Sequence, residues 1–132
     1  MICLAQRNKT IDFDQPFSIE LGNNYKLRKY QQDLAERVLS QWKGGRQRVM
    51  AQLVTGGGKS VILSAIANYF VTQGLRILAI AHRKELITQL RDKLGEVTGL
   101  PVGCIKAGIS PEPQHQIQVD NKRYRINSIL YF

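Results

Sequence analysis

A glycine-rich segment in the middle of the chain is the clearest candidate for chemistry. Residues 55–60 read Thr-Gly-Gly-Gly-Lys-Ser and lie between a short apolar run and a helical pattern. Glycines let backbone N–H groups curl around an oxyanion, because a Cβ would block both the approach and the positive φ angles that it requires. The start of the following helix adds a dipole that favours negative charge. The segment therefore predicts a loop that binds the phosphates of a nucleotide, formed by Thr55, Gly56, Gly57, Gly58, Lys59 and Ser60.

Two side chains of this loop have distinct expected roles. Lys59 is expected to reach the β- and γ-phosphates, and the Ser60 hydroxyl to take one position on the Mg²⁺ that bridges them. A nucleotide with Mg²⁺ is therefore the expected ligand. The general pattern Gly-x-x-x-x-Gly-Lys-[Ser/Thr] is only partly met, because Leu53 stands where it has its first glycine. The alternative is a glycine-rich turn from strand to helix with a chance lysine.

The elements that would position this loop alternate along the chain. Apolar spacings of three and four predict helices from Leu27 to the stop at Gly44-Gly45, from the loop to Gly74, and over about 82–94. Leu86 and Leu90 are expected in the core, and Tyr30 lies on the apolar stripe of the first helix. Strand and helix in alternation predict an α/β fold with a parallel sheet flanked by helices. The predicted strands are a buried one at 49–54, two at 75–81 and 102–107, a short one at 116–119, and an edge strand around 17–21.

Length and composition restrict the class of protein. The 132 residues suffice for one compact domain, and the net charge of +9 favours a polyanionic partner such as nucleic acid. Cys3 and Cys104 lack metal-site spacing, so we interpret them as free thiols in a reducing compartment. Neither a signal peptide nor an apolar run of about 18 residues is present. We therefore expect a cytoplasmic protein without a membrane partner.

Three segments together resemble superfamily 2 helicases and translocases of the DEXH type. They are residues 27–31 (Leu-Arg-Lys-Tyr-Gln), 53–60 (Leu-Val-Thr-Gly-Gly-Gly-Lys-Ser) and 80–89 (Ile-Ala-His-Arg-Lys-Glu-Leu-Ile-Thr-Gln). The resemblance covers about residues 27–119 and implies part of the first RecA-like motor domain. Residues 1–26 would then be an N-terminal extended or edge segment, and residues 120–132 a divergent C-terminal tail.

The resemblance also implies roles for residues outside the phosphate loop. ATP would be the nucleotide, Gln31 would read its adenine edge, and Arg28 or Tyr30 could pack beside the base. His82, Arg83 and Gln89 would face a nucleic-acid backbone, although a solvated helix start is the plain alternative for this segment. The segment Ala-His-Arg-Lys-Glu-Leu is similar to its counterpart in phage helicases, DNA-repair helicases and restriction-enzyme translocases. Nucleic acid is the expected partner, with DNA expected before RNA.

The acidic pair that this family uses for hydrolysis is absent from the sequence. One carboxylate of the pair holds Mg²⁺ and the next polarises the attacking water. We therefore assign no catalytic residue and expect a truncated or frameshifted chain that needs a second motor domain or a partner chain. The acidic residues after Lys59 are Glu85, Asp92, Glu96, Glu112 and Asp120, and none is adjacent to another.

Two other functions remain open from the residues alone. A small P-loop kinase or transferase would need an acceptor-binding lid and an acidic residue at the end of a strand, and neither is visible in the sequence. A non-catalytic nucleic-acid-binding module would lose affinity steeply with salt and would not respond to ATP.

Overall fold

Three helices and six short strands form the regular structure of the described residues. The computed structural model describes residues 2–5, 11–54, 56, 58–80, 84–105, 117–120 and 128–131. The helices are α1 (Lys29–Lys43), α2 (Lys59–Val71) and α3 (Lys84–Thr98), and a 3₁₀ turn spans Gly22–Asn24. The strands are β1 (Ile2–Ala5), β2 (Arg48–Met50), β3 (Arg76–Ile80), β4 (Val102–Ile105), β5 (Ile117–Asp120) and β6 (Ser128–Tyr131).

The described strands form one sheet with the order β2-β6-β1-β3-β5-β4. β3 and β4 both pair parallel with β5, and β2 pairs parallel with β6. β1 pairs antiparallel with both of its neighbours, β3 and β6, so it alone among these strands runs in the opposite direction. The predicted parallel sheet is therefore found only in part, because three strand pairs are parallel and the two pairs that include β1 are antiparallel. Helical crossovers fix the direction of β2, β3 and β4, whereas β1 precedes the first crossover and is not constrained by it.

The N-terminal strand lies elsewhere than the alternating pattern suggested. Residues 17–21 form no strand, and their only ladder contact is an isolated bridge between Glu20 and Lys26. β1 instead lies inside the sheet, between β3 and β6. The prediction of an edge strand around 17–21 is wrong, because this segment packs against helices instead of pairing with a strand.

Helix α1 begins and ends at residues that satisfy its backbone. Arg28 is extended, and its N–H donates to Gln31 Oε1 at 3.0 Å, which is half of a capping box. Gly45, at φ +87°, follows the last turn and explains the stop. Val38 and Trp42 are buried as their spacing predicts, but Tyr30 on the same predicted stripe is 41% exposed.

Helix α2 is the centre of the core. Every residue from Val61 to Val71 except Asn68 is buried, because α1, α3 and β3 all contact this helix. Phe70 is fully buried, with ring centroids 5.3 Å from Tyr69, 5.7 Å from Trp42 and 6.2 Å from Phe13. An all-round apolar helix of this kind is stabilised by tertiary packing.

Helix α3 runs one turn further than Gly95, where it was predicted to stop. Val97 and Thr98 are buried, and Gly99, at φ +68°, ends the helix with its N–H donating to Gly95 O at 3.0 Å. Its buried stripe is Ile87, Leu94 and Val97, with Leu90 partly buried. Leu86 is one position off this stripe and is 38% exposed, so its prediction as core is wrong.

Strand β2 is shorter and more exposed than predicted. It ends at Met50, and residues 51–54 continue to the glycine-rich loop without regular structure. Met50 and Val54 are 79% and 76% exposed, whereas Ala51 is buried. The prediction of a fully buried strand is wrong, because β2 lies at one end of the sheet order. Among the described residues, no helix is long and apolar enough to cross a membrane.

Candidate phosphate-binding site

The glycine-rich loop has the backbone geometry that the sequence predicts at the two glycines that the structure describes. Gly56 and Gly58 have φ angles of +79° and +80°, which are left-handed values that favour glycine. Gly58 is also the N-cap of α2, so the loop passes directly into the helix. The other two predicted loop residues before Lys59, Thr55 and Gly57, lie outside the described residues.

The first turn of α2 presents backbone donors to the loop. The N–H groups of Val61 and Ile62 both donate to Gly58 O at 3.1 Å. The amides of Lys59 and Ser60 have no acceptor within the helix, as at any helix N-terminus. Ser64 Oγ donates to Ser60 O at 2.6 Å, which ties this turn to the buried part of the helix. The turn therefore offers two amides and a dipole to an anion.

A cavity of about 520 Å³ opens in front of this turn. Two of its side chains are the lysines 59 and 93, and its described lining contains no carboxylate, so the cavity favours an anion. Lys59 is exposed and Ser60 is half-buried. The described lining consists of Gly56, Gly58, Lys59, Ser60, Val61, Gln89 and Lys93.

Gln31 lies behind the loop instead of in this cavity. Its side chain is 6% exposed, and a Cβ placed on Gly58 would lie 2.4 Å from Gln31 Nε2. Gln31 Oε1 accepts from the Arg28 N–H, so the amide joins the start of α1 to the N-cap of α2. Arg28 is exposed at the first turn of α1. Gln31 and Arg28 are therefore neighbours of the loop, and neither contributes to the cavity lining.

Of the three residues predicted to contact nucleic acid, only Gln89 is among the described residues. Gln89 lines the cavity together with Lys59 and Ser60. His82 and Arg83 lie outside the described residues. The segment that resembles a nucleic-acid contact therefore reaches the phosphate loop through its helix α3.

Lys93 also lines this cavity, although the sequence motifs did not predict it. It lies four residues after Gln89, which puts both side chains on one face of α3. The i, i+4 spacing is readable in the sequence, but the helicase-like segment ends at Gln89 and does not include Lys93. Lys93 Nζ donates to Tyr25 Oη at 3.0 Å and to Glu96 Oε2 at 3.1 Å.

The polar groups of the cavity fit a metal ion that arrives with phosphates. Ser60 supplies one hydroxyl at the helix N-terminus, and Mg²⁺ in nucleotide sites takes few protein ligands, with phosphates and waters completing its octahedron. The described residues contain no group of three or more His, Cys, Asp or Glu that could hold a metal ion. The Ser60 hydroxyl therefore fits the role of one protein ligand to a Mg²⁺ that is bound together with a nucleotide.

The sequence match to a known family covers most of the chain. The family described as the type III restriction enzyme, res subunit, matches residues 24–129. The chain belongs to this family. Membership in this family means that the chain is similar to the N-terminal region of superfamily 2 helicases, as the three sequence segments indicated. It also implies a RecA-like fold.

Two relatives match shorter parts of this res-subunit family member. The IRC3 protein of Saccharomyces cerevisiae, which is named as an ATP-dependent helicase, is 35% identical over 78 residues. A protein of a Lactococcus phage, named only as a 51.5 kDa protein, is 39% identical over 57 residues. The matches cover 54% and 43% of this chain but only 11% and 12% of the relatives. No solved structure matches the chain.

Proposed function

We propose that this chain binds Mg²⁺-ATP as the nucleotide-binding part of an ATP-driven motor that acts on nucleic acid. The observation that carries the proposal is the cavity before α2, where two left-handed glycines, two helix amides, Lys59 and Ser60 come together. Family membership makes ATP the expected nucleotide and a RecA-like core the expected frame.

The residues of the loop divide the work of holding the triphosphate. The left-handed glycines let the backbone approach the phosphates, and the amides of Lys59 and Ser60 donate to their oxygens. Lys59 adds a positive charge that neutralises the β- and γ-phosphates. The Ser60 hydroxyl would hold the Mg²⁺, which supplies charge neutralisation to the bound phosphates.

Gln31 and Arg28 serve the base end of the nucleotide in this proposal. Gln31 Oε1 already accepts from the Arg28 backbone, so Nε2 is the group that remains to donate to the adenine edge. Gln31 Nε2 also lies where a Cβ on residue 58 would be, so it packs closely against Gly58. Base recognition and the shape of the phosphate loop would therefore depend on the same side chain.

Nucleic acid, and DNA before RNA, is the proposed partner. The net charge of +9 suits a polyanion, and one relative is named as a helicase. His82, Arg83 and Gln89 are the proposed contacts. Since Gln89 also lines the phosphate cavity, nucleic acid and nucleotide would meet at α3.

The chain would bind ATP without hydrolysing it. The acidic residues after Lys59 include no adjacent pair that could hold Mg²⁺ and polarise water together.

The experiment is a nucleotide titration coupled to a hydrolysis assay. Wild-type chain, Lys59→Ala and the control Lys43→Ala are titrated with Mg²⁺-ATP by calorimetry, then assayed for phosphate release with and without single- and double-stranded DNA and RNA. Lys43 is an exposed lysine at the last turn of α1, ion-paired with Asp14, so its loss changes the net charge equally.

We expect ATP binding that is weakened in Lys59→Ala and kept in Lys43→Ala, with no turnover. Nucleic-acid-stimulated hydrolysis would refute the inactive part of the proposal. Salt-sensitive binding of nucleic acid without any binding of ATP would instead indicate a nucleic-acid-binding module. Phosphate transfer to a small acceptor would indicate a kinase.

A further inference from the structure

We propose that Lys93 is a second phosphate-binding cation of this site, positioned by Tyr25 and Glu96 to contact the terminal phosphate of a bound nucleoside triphosphate. The inference rests on the proposed nucleotide binding. It adds a specificity residue from α3, which no loop motif contains.

The position of Lys93 brings a second charge to the anion cavity. Lys93 and Gln89 line the cavity from α3, and Lys59 and Ser60 line it from the start of α2. The Lys93 side chain is 30% exposed, so it is partly withdrawn from solvent. Two lysines on different helices can therefore contact one polyphosphate from two sides.

The ammonium group of Lys93 is held in place by two acceptors. Nζ donates to Tyr25 Oη at 3.0 Å and to Glu96 Oε2 at 3.1 Å, and it lies 5.0 Å from the centroid of the Tyr25 ring. A lysine ammonium has three donors, so these bonds leave one for a phosphate oxygen. Restricting a long side chain before binding lowers the entropy that binding would otherwise lose.

The partners of Lys93 are themselves fixed to α3. Asn23 Nδ2 donates to Glu96 O at 2.8 Å, and a Cβ on Gly22 would lie only 2.2 Å from Thr98 O. The turn that precedes Tyr25 is thus pressed against the end of α3. Tyr25 itself packs beside the cluster of Leu27, Val61 and Val97.

The same contacts keep the lysine charged. The hydrogen bonds with Tyr25 and then Glu96 raise the pKa of Lys93 above its ordinary value. A lysine whose pKa is raised stays protonated throughout the neutral range. Its charge is therefore available at the pH where a nucleoside triphosphate is fully ionised.

The test compares the affinity of ATP, ADP and AMP, each with Mg²⁺, for four chains by calorimetry. The chains are wild type, Lys93→Met, Lys93→Arg and the control Lys43→Met. We expect Lys93→Met to weaken ATP binding by about tenfold, ADP less and AMP hardly at all, since one charge-assisted hydrogen bond is lost. Lys93→Arg should restore most of the ATP affinity, and Lys43→Met should match wild type.

A second variant keeps the test decisive if Lys93→Met fails to fold. Tyr25→Phe removes one acceptor of Nζ but keeps the ring, and we expect a loss of about two- to threefold for ATP alone. Thermal unfolding of each variant shows whether the fold is kept.

Several outcomes would overturn the inference. Unchanged ATP affinity in both Lys93→Met and Tyr25→Phe would do so, as would an equal loss for ATP, ADP and AMP, which indicates a structural role. Loss of single-stranded DNA binding with unchanged ATP affinity would assign Lys93 to the nucleic acid. If wild type binds no nucleotide, the proposed function itself fails, which is a different result from wild-type binding that Lys93 does not affect.

Discussion

The two ends of α2 differ in burial, backbone geometry and hydrogen bonding. At its start, Gly58 is left-handed, Lys59 is exposed, and the first amides have no acceptor within the helix. From Val61 onward the helix is buried on almost every side and closes on the Phe70 aromatic cluster. The site is thus a polar, conformationally demanding turn supported by an apolar stem. Substitutions along this one helix should therefore separate stability from binding.

The largest effect is expected in the stem. Phe70→Ala removes a fully buried ring from the centre of the core, which should lower the free energy of unfolding by about 3–5 kcal/mol. Urea unfolding followed by circular dichroism measures it. Phe70→Leu is the control and should lose less, because it leaves a smaller cavity. A loss under about 1 kcal/mol for Phe70→Ala would contradict the stem as the stabilising end.

The next effect is expected at the junction of loop and helix. Gly58→Ala imposes a side chain at φ +80° and forces its Cβ against Gln31, so we expect a loss of about 2–3 kcal/mol in the free energy of unfolding. Gly56→Ala is a matched control, because Gly56 has φ +79° and nothing within 4 Å of its Cβ position. Gly56→Ala should lower the free energy of unfolding by only about 1–2 kcal/mol.

The difference between these two glycines isolates the contact with Gln31. Adding Gln31→Ala to Gly58→Ala should bring its stability close to that of the Gly56→Ala, Gln31→Ala pair, as a double-mutant cycle would report. Equal losses for the two single glycine variants would show that Gln31 does not press on the loop.

The smallest effect is expected where the stem meets the turn. Ser64→Ala removes the hydrogen bond from Ser64 Oγ to Ser60 O, but alanine also favours the helix more than serine does. The free energy of unfolding should therefore fall by only about 0.5–1 kcal/mol. ATP affinity is the sharper readout, and a modest loss is expected as the Ser60 turn loosens. Unchanged affinity would indicate that the turn is held by the backbone alone.

The sequence predicts the parts of the fold that rest on local periodicity. The helices α1 and α2 and the strands β3, β4 and β5 lie where apolar spacing places them. β1 and β6 could not be predicted, because each depends on pairing with a segment that is distant in the sequence. The sequence predicted the end of the third helix at about residue 94, next to Gly95. The helix instead continues to Thr98, because Val97 and Thr98 are buried in the core.

The residues of the candidate site likewise differ in whether local sequence or tertiary packing determines their positions. The loop from Gly56 to Ser60 follows from its residue types, because left-handed glycines before a helix are a local property. Lys93 depends on how α3 packs beside α2 and on Tyr25, a contact between residues 68 positions apart. The place of Gln31 behind Gly58 likewise depends on how α1 meets α2, which periodicity does not specify.

The central claim is that the turn at the start of α2 binds Mg²⁺-ATP through Lys59. Calorimetric titration of Mg²⁺-ATP into wild type, Lys59→Ala and Lys43→Ala, with urea unfolding of each, tests it directly. We predict that Lys59→Ala weakens ATP binding by about 10- to 100-fold while its free energy of unfolding stays within about 0.5 kcal/mol of wild type. ATP affinity that is equal in all three chains, or absent from wild type, would contradict the claim.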